Sequence, residues 1–262
     1  MTTKIELPGL SLEVQAIPAP AESAAAARAP LVFLHEGLGS IALWRDWPQR
    51  LCAATGRAGW VYSRRGYGRS SPNLDARGSG RLKPDYLHRE ALDVLPAVLA
   101  RLGLERPVLV GHSDGATIAL IHAAHHPVAA CVVMAPHVMV EEVCIRSLEQ
   151  TREAWIAGPL RERLARYHDD ANGAFWQWND IWLSPAFRGF DIRGECRSIT
   201  APLLAIQGLD DEYATLAQLH DLQDAVPHAR LLEVPACGHS PHRDQPEAVT
   251  AAIGLFLAPV GA

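Results

Sequence analysis

The sequence has little of what marks several common protein classes. Its 262 residues include only five cysteines (Cys52, Cys131, Cys144, Cys196, Cys237), an odd number with no CxxC pair. That excludes a disulfide framework and a thiolate zinc site, and it leads us to expect reduced thiols in a cytoplasmic protein. The opening Met1-Thr2-Thr3-Lys4-Ile5-Glu6 has neither a signal-peptide nor a transit-peptide pattern. No apolar run is long enough to span a bilayer, so no membrane partner is expected. Basic residues do not interleave with aromatics, and the net charge is −5, so no nucleic-acid surface is expected. P-loop, H-E-x-x-H and complete G-x-G-x-x-G patterns are all missing. His122, His125 and His126 lie close together without a metal-site spacing, so neither metal nor cofactor is expected.

What is present is an alternation. Short apolar runs occur at residues 30–35, 59–63, 107–112, 129–134, 202–208 and 229–234. Continuous apolar runs of this length read as strands buried on both faces. Helical patterns separate them. In residues 85–102, Leu87, Ala91, Leu95, Val98 and Leu102 recur at helical spacing, with Pro96 expected to kink the helix. Val249, Ile253 and Phe256 form a stripe near the end. Residues 18–30, rich in alanine and proline, are expected to be a loop between early strands. The fold class expected is therefore α/β, a mostly parallel central sheet with helices on both faces. The rhythm stops over residues 137–199, which hold eight of the 17 aromatics. This segment is expected to be a helical lid inserted into a core made of residues 1–136 and 200–262, its aromatics lining a substrate pocket.

The chemistry concentrates at strand ends. Gly111-His112-Ser113-Asp114-Gly115 follows an apolar strand and precedes a plausible helix, the context of a nucleophile elbow. A serine there needs a base. His239, in the loop after the last strand, is expected to serve, with His242 as its competitor and more naturally a loop or surface residue. The imidazole needs a carboxylate. Asp211, three residues after Gly208, is favoured over Asp210, and the remaining acids would cap a helix starting near Tyr213.

With His35-Glu36-Gly37-Leu38-Gly39, Arg65-Gly66-Tyr67-Gly68-Arg69-Ser70, Gly208-Leu209-Asp210-Asp211 and Gly238-His239-Ser240-Pro241, these segments resemble the α/β-hydrolase superfamily over essentially the whole chain. The resemblance implies an α/β-hydrolase fold and supports Asp211 as the acid. It implies backbone oxyanion donors at Asp114 and Gly37. Glu36 departs from the glycine most common at its position. The Ser-Asp-Gly portion is similar to valacyclovir-hydrolase-like esterases, where that aspartate is associated with an amino group. Residue chemistry alone reads Asp114 as complementing the helix dipole. Arg64 and Arg65 read as ion-pair formers rather than anion binders.

The expected function is hydrolysis of a small-molecule carboxylic ester or thioester by Ser113, His239 and Asp211 through an acyl-enzyme. The alternatives are a carbon–carbon bond hydrolase on the same three residues and a non-catalytic ligand receptor. Trp44, Trp178 and Trp182 are the expected substrate-binding residues.

Overall fold

In a computed structural model, residues 2–20 and 28–260 are described. The middle of the expected 18–30 loop, residues 21–27, lies outside them. The sheet has eight strands: β1 (Thr2–Leu7), β2 (Leu10–Ile17), β3 (Leu31–Leu34), β4 (Gly59–Tyr62), β5 (Val108–His112), β6 (Ala130–Met134), β7 (Leu203–Gly208) and β8 (Arg230–Val234). Their order is β1-β2-β4-β3-β5-β6-β7-β8. β1 and β2 pair antiparallel, as do β2 and β4, and every later pairing is parallel.

The helices are α1 (Trp47–Thr55), α2 (Tyr86–Arg89), α3 (Leu95–Leu102), α4 (Asp114–His125), α5 (Glu142–Ile156), α6 (Pro159–Leu164), α7 (Ala171–Trp182), α8 (Arg193–Cys196), α9 (Ala217–Ala225), α10 (Pro241–Asp244) and α11 (Pro246–Leu257). Side chains of successive strand residues point to opposite faces, and both faces are covered. Val32, Leu34, Leu109, Cys131 and Val133 join one core with residues of α3, α4, α8 and α9. Leu31, Phe33, Val110, Val132 and Ile206 join a second with α1 and α11. Double burial explains why these strands read as unbroken apolar runs.

Two local features differ from expectation. The 85–102 pattern is broken by a π-turn over Glu90–Val94, just before Pro96, rather than by a simple kink. Proline lacks an N–H and its ring crowds the carbonyl four residues back, and a wider turn relieves both problems. The helix expected near Tyr213 begins at Ala217 instead. There the Ala217 N–H donates to Thr215 Oγ1, so none of the three preceding acids caps it.

Helices α5 to α8 lie between β6 and β7. The buried aromatics of this segment, Trp155, Phe175, Trp178, Trp182 and Phe187, belong to the same core as the α4 face of the sheet. Ser113, Asp211 and His239 sit where this segment meets the C-terminal ends of the parallel strands, the rim at which ligands bind in open α/β sheets.

Candidate active site

The turn from β5 into α4 forces Ser113 into a left-handed conformation, φ 53° and ψ −117°. Such strain persists only where the surroundings impose it. A Cβ on Gly111 would lie 2.3 Å from the Gly115 carbonyl oxygen, and one on Gly115 only 2.0 Å from that of Leu34. The two glycines let the backbone pass through this crowded point, leaving the Ser113 hydroxyl at the mouth of a cavity.

Two loops on the same rim complete a line of hydrogen bonds. Ser113 Oγ donates to His239 Nε2 at 2.9 Å. His239 Nδ1–H donates to Asp211 Oδ1 at 2.8 Å and to Oδ2 at 3.0 Å. The Asp211 side chain is 1% exposed and that of His239 12%. Asp211 Oδ1 also accepts from the Tyr213 N–H. Burial opposes charge on His239, but the Asp211 carboxylate outweighs it and raises the imidazole pKa above its ordinary value. Burial likewise opposes the Asp211 charge, and His239 outweighs it, holding the carboxyl low. Asp210 is exposed, and its side chain has no hydrogen bond among the described residues.

Two residues with unpaired backbone N–H groups line the same cavity. The N–H groups of Gly37 and Asp114 have no hydrogen-bond partner among the described residues, and both residues line the cavity with Ser113. The Gly37 N–H is aimed by its own peptide. The Glu36 carbonyl accepts from His35 Nδ1–H at 2.7 Å, Arg64 Nη2 at 3.0 Å and the Gly39 N–H at 3.0 Å. In a trans peptide the N–H points opposite the C=O, so pinning one fixes the other. The tight turn survives glutamate at position 36 because its side chain swings away, bringing Oε2 to 3.5 Å from His112 Nδ1. Burial pushes the Glu36 carboxyl up, but the facing His112 imidazole overrides it and holds the group well below the ordinary carboxylate range. On its other side His112 Nε2–H donates to the His239 carbonyl at 2.7 Å. The loop bearing Gly37 and the loop bearing His239 are thus joined through one buried ring.

Asp114 is buried, and the chain's own groups engage its carboxylate. Tyr86 Oη donates to Oδ2 at 2.8 Å, Trp182 Nε1 to Oδ1 at 3.2 Å, and Arg64 Nη2 lies 3.6 Å from Oδ2. Burial raises its pKa, with Arg64 and these donors opposing. Arg64 is 2% exposed, so an ion pair describes it. Arg65 is exposed and its side chain makes no ion pair among the described residues, which corrects the paired reading for that residue.

The cavity has a volume of about 110 Å³. Trp178 and Trp182 line it, with Cys144, Leu148, Tyr213 and Leu38. Trp178 lies directly against Gly37, where any Cβ would overlap its indole. Burial pushes the Cys144 thiol far up, so this cysteine offers no ready thiolate. Trp44 does not line the cavity, contrary to expectation. It is on the opposite face of the sheet, stacked on Trp47 with centroids 5.6 Å apart and in edge contact with Phe33 at 5.8 Å. His242 also differs from expectation. It is 3% exposed, its ring 4.7 Å from Trp44 and 5.2 Å from Trp47, and burial drives its pKa well down. No group of three or more possible metal-ligating side chains occurs among the described residues, nor is any described helix long and apolar enough to cross a membrane.

Sequence reasoning missed His137 and His112. His137, just beyond β6, lines the cavity, with its ring 5.6 Å from that of His239. Its only sequence signal was a histidine at a strand end, the same signal that selected His239.

The sequence profile of the Alpha/beta hydrolase family matches residues 31–252. A protein of Pseudomonas savastanoi pv. phaseolicola named as a carbamate hydrolase, RutD, is 27% identical over 248 residues, spanning 84% of this chain and 90% of its own. A proline iminopeptidase of Levilactobacillus brevis is 25% identical over 273 aligned positions, spanning 87% and 88%. Among solved structures, the enol-lactonase of Burkholderia xenovorans LB400 superposes with a TM-score of 0.73 at 21% identity, over 97% of this chain and 99% of that one. The chain belongs to the alpha/beta hydrolase family.

Proposed function

Taking membership of that family as the premise, we propose that the protein is a serine hydrolase of small carboxylic esters or thioesters. The observation that carries the reading is the continuous line from Ser113 Oγ through His239 to Asp211, beside two unpaired backbone N–H groups. His239 takes the Ser113 proton as Oγ attacks the substrate carbonyl. Asp211 keeps the proton on Nδ1, leaving Nε2 free to accept, and stabilises the imidazolium that forms. The N–H groups of Gly37 and Asp114 receive the developing oxyanion. His239 then protonates the leaving group and, after acylation, activates the water that releases the acid.

The small cavity takes the acyl group. Its modest volume, about 110 Å³, suits a short acyl chain between indole walls. A larger groove of about 870 Å³ shares Glu36, Leu38 and Tyr213 with the cavity and gives the leaving group a way out. Helices α5 to α8 serve as the lid, supplying Trp178 and Trp182.

Replacement of Ser113 by alanine tests the reading. A purified Ser113→Ala protein, free of host esterases, keeps its circular dichroism spectrum and loses turnover of short p-nitrophenyl esters, by on the order of 10⁶ in kcat. Undiminished turnover refutes it. Stoichiometric binding without turnover in the unmutated protein supports a receptor instead.

A further inference from the structure

The His137 ring is 2% exposed, yet neither of its nitrogens has a hydrogen-bond partner among the described residues. Buried polar atoms without partners are rare in folded proteins; here that atom is Nδ1, while Nε2 keeps access to a partner from outside the chain. The backbone around it is well tied: Thr117 Oγ1 donates to the His137 carbonyl at 2.9 Å and accepts from its N–H at 3.2 Å. Edge contact with Trp182, at 5.1 Å between centroids, fixes the ring itself. Burial holds the imidazole neutral, its pKa lowered to about 3, so it carries a single N–H.

The two nitrogens differ. Nδ1 is sealed from solvent and Nε2 is not. An unpaired buried lone pair is better tolerated than an unpaired buried N–H. The proton therefore belongs on Nε2, the nitrogen that is not sealed, on a residue that lines the cavity. We propose that His137 Nε2–H is a specificity donor for an acceptor oxygen on the acyl chain, close to the reacting carbonyl. The substrates are short acyl esters or thioesters oxygenated on the α or β carbon, as in alkoxy-, hydroxy- or keto-acyl groups. The position follows from the ring's 5.6 Å separation from the His239 ring, whose Nε2 contacts Ser113 Oγ. Acyl rather than leaving-group recognition follows from placement: His137 lines the small cavity and not the adjoining groove.

This inference rests on the hydrolase reading above, and one substrate pair separates the two. p-Nitrophenyl butyrate and p-nitrophenyl methoxyacetate have nearly the same shape, but an ether oxygen replaces the β-methylene of the second. With rates corrected for their hydroxide-catalysed hydrolysis, the unmutated enzyme prefers methoxyacetate by about tenfold in kcat/KM, the scale of one buried hydrogen bond. His137→Phe keeps the ring packing and brings the ratio of the two kcat/KM values close to one, whatever it does to the butyrate rate itself. His137→Gln, which retains a donor, keeps part of the preference and covers the case in which the phenylalanine variant does not fold. Butyrate turnover with no methoxyacetate preference in the unmutated enzyme overturns the inference alone. A ratio unchanged in His137→Phe does the same, because the ring then acts only by packing. No turnover of either ester overturns the hydrolase reading itself.

Discussion

Two aromatic clusters face each other across the sheet, and the one beside Ser113 lines a cavity. Beneath it, Phe33, Trp44, Trp47 and His242 fill their space with ring-on-ring contacts. Above it, Trp178, Trp182 and His137 are buried too, but with the half-buried His239 they line a cavity of about 110 Å³ beside Ser113. Both clusters are built on two tryptophans and histidine; the difference is what the backbone does nearby. Above the sheet, β5 turns sharply into α4 and the Gly37 loop passes against Trp178, so backbone donors rather than side chains line part of the wall. Aromatic content therefore does not mark a binding site. An unfilled volume edged by unpaired polar groups does.

Substitutions should separate the clusters. The largest effect is expected above the sheet at Asp211. Asp211→Asn preserves shape but disturbs the tautomer of His239, and kcat falls by about 10⁴ with little loss of stability. Ester kinetics together with thermal melting check this, and a loss below tenfold would remove Asp211 from the line. Below the sheet, Trp44→Ala should do the reverse. Thermal or denaturant unfolding should show a loss of about 3–5 kcal/mol, while kcat/KM per folded molecule stays within a few-fold. If activity fell in step with Asp211→Asn, the two faces would not be independent.

A third variant acts at the boundary between fold and site. Arg64→Met leaves the buried Asp114 carboxylate without its cation and should cost about 3–5 kcal/mol. Adding Asp114→Asn should restore part of that stability, and a double-mutant cycle by urea denaturation measures the coupling. The smallest effect is in pH. In the proposed mechanism His239 must be neutral to accept the Ser113 proton, and its pKa is raised. The acid limb of kcat/KM should therefore lie above the ordinary imidazole value of about 6.5, with activity falling as pH drops through it. In Asp211→Asn, residual activity should show this limb displaced downward, because the charge that raises it is gone.

Much of this was legible along the chain. The six apolar runs correspond to β3 to β8 within a residue or two; β3, β5, β6 and β7, buried along their whole length, leave no polar alternation to misread, and only the edge strand β8 is largely exposed. The β1–β2 hairpin was not read, although Pro8-Gly9 marks its turn; β1 is an exposed edge strand with little apolar content. Ser113, Asp211 and His239 could be placed together because each follows a parallel strand and so reaches the same rim. The choice between Asp210 and Asp211 needed only the direction of two neighbouring side chains, one inward and one outward. Trp44 and Trp182 could not be told apart, since which face of the sheet a loop or helix covers is a tertiary matter. The same holds for His112 and His137, whose partners lie over 100 residues away in the case of His239, and which are set by strand order rather than spacing.

Covalent labelling tests the central claim most directly. A fluorophosphonate probe incubated with the purified protein, followed by peptide mass mapping, should place a single adduct on the peptide containing Ser113, with labelling lost in His239→Ala. An adduct on a different serine, or labelling that is undiminished without the imidazole, would contradict the account.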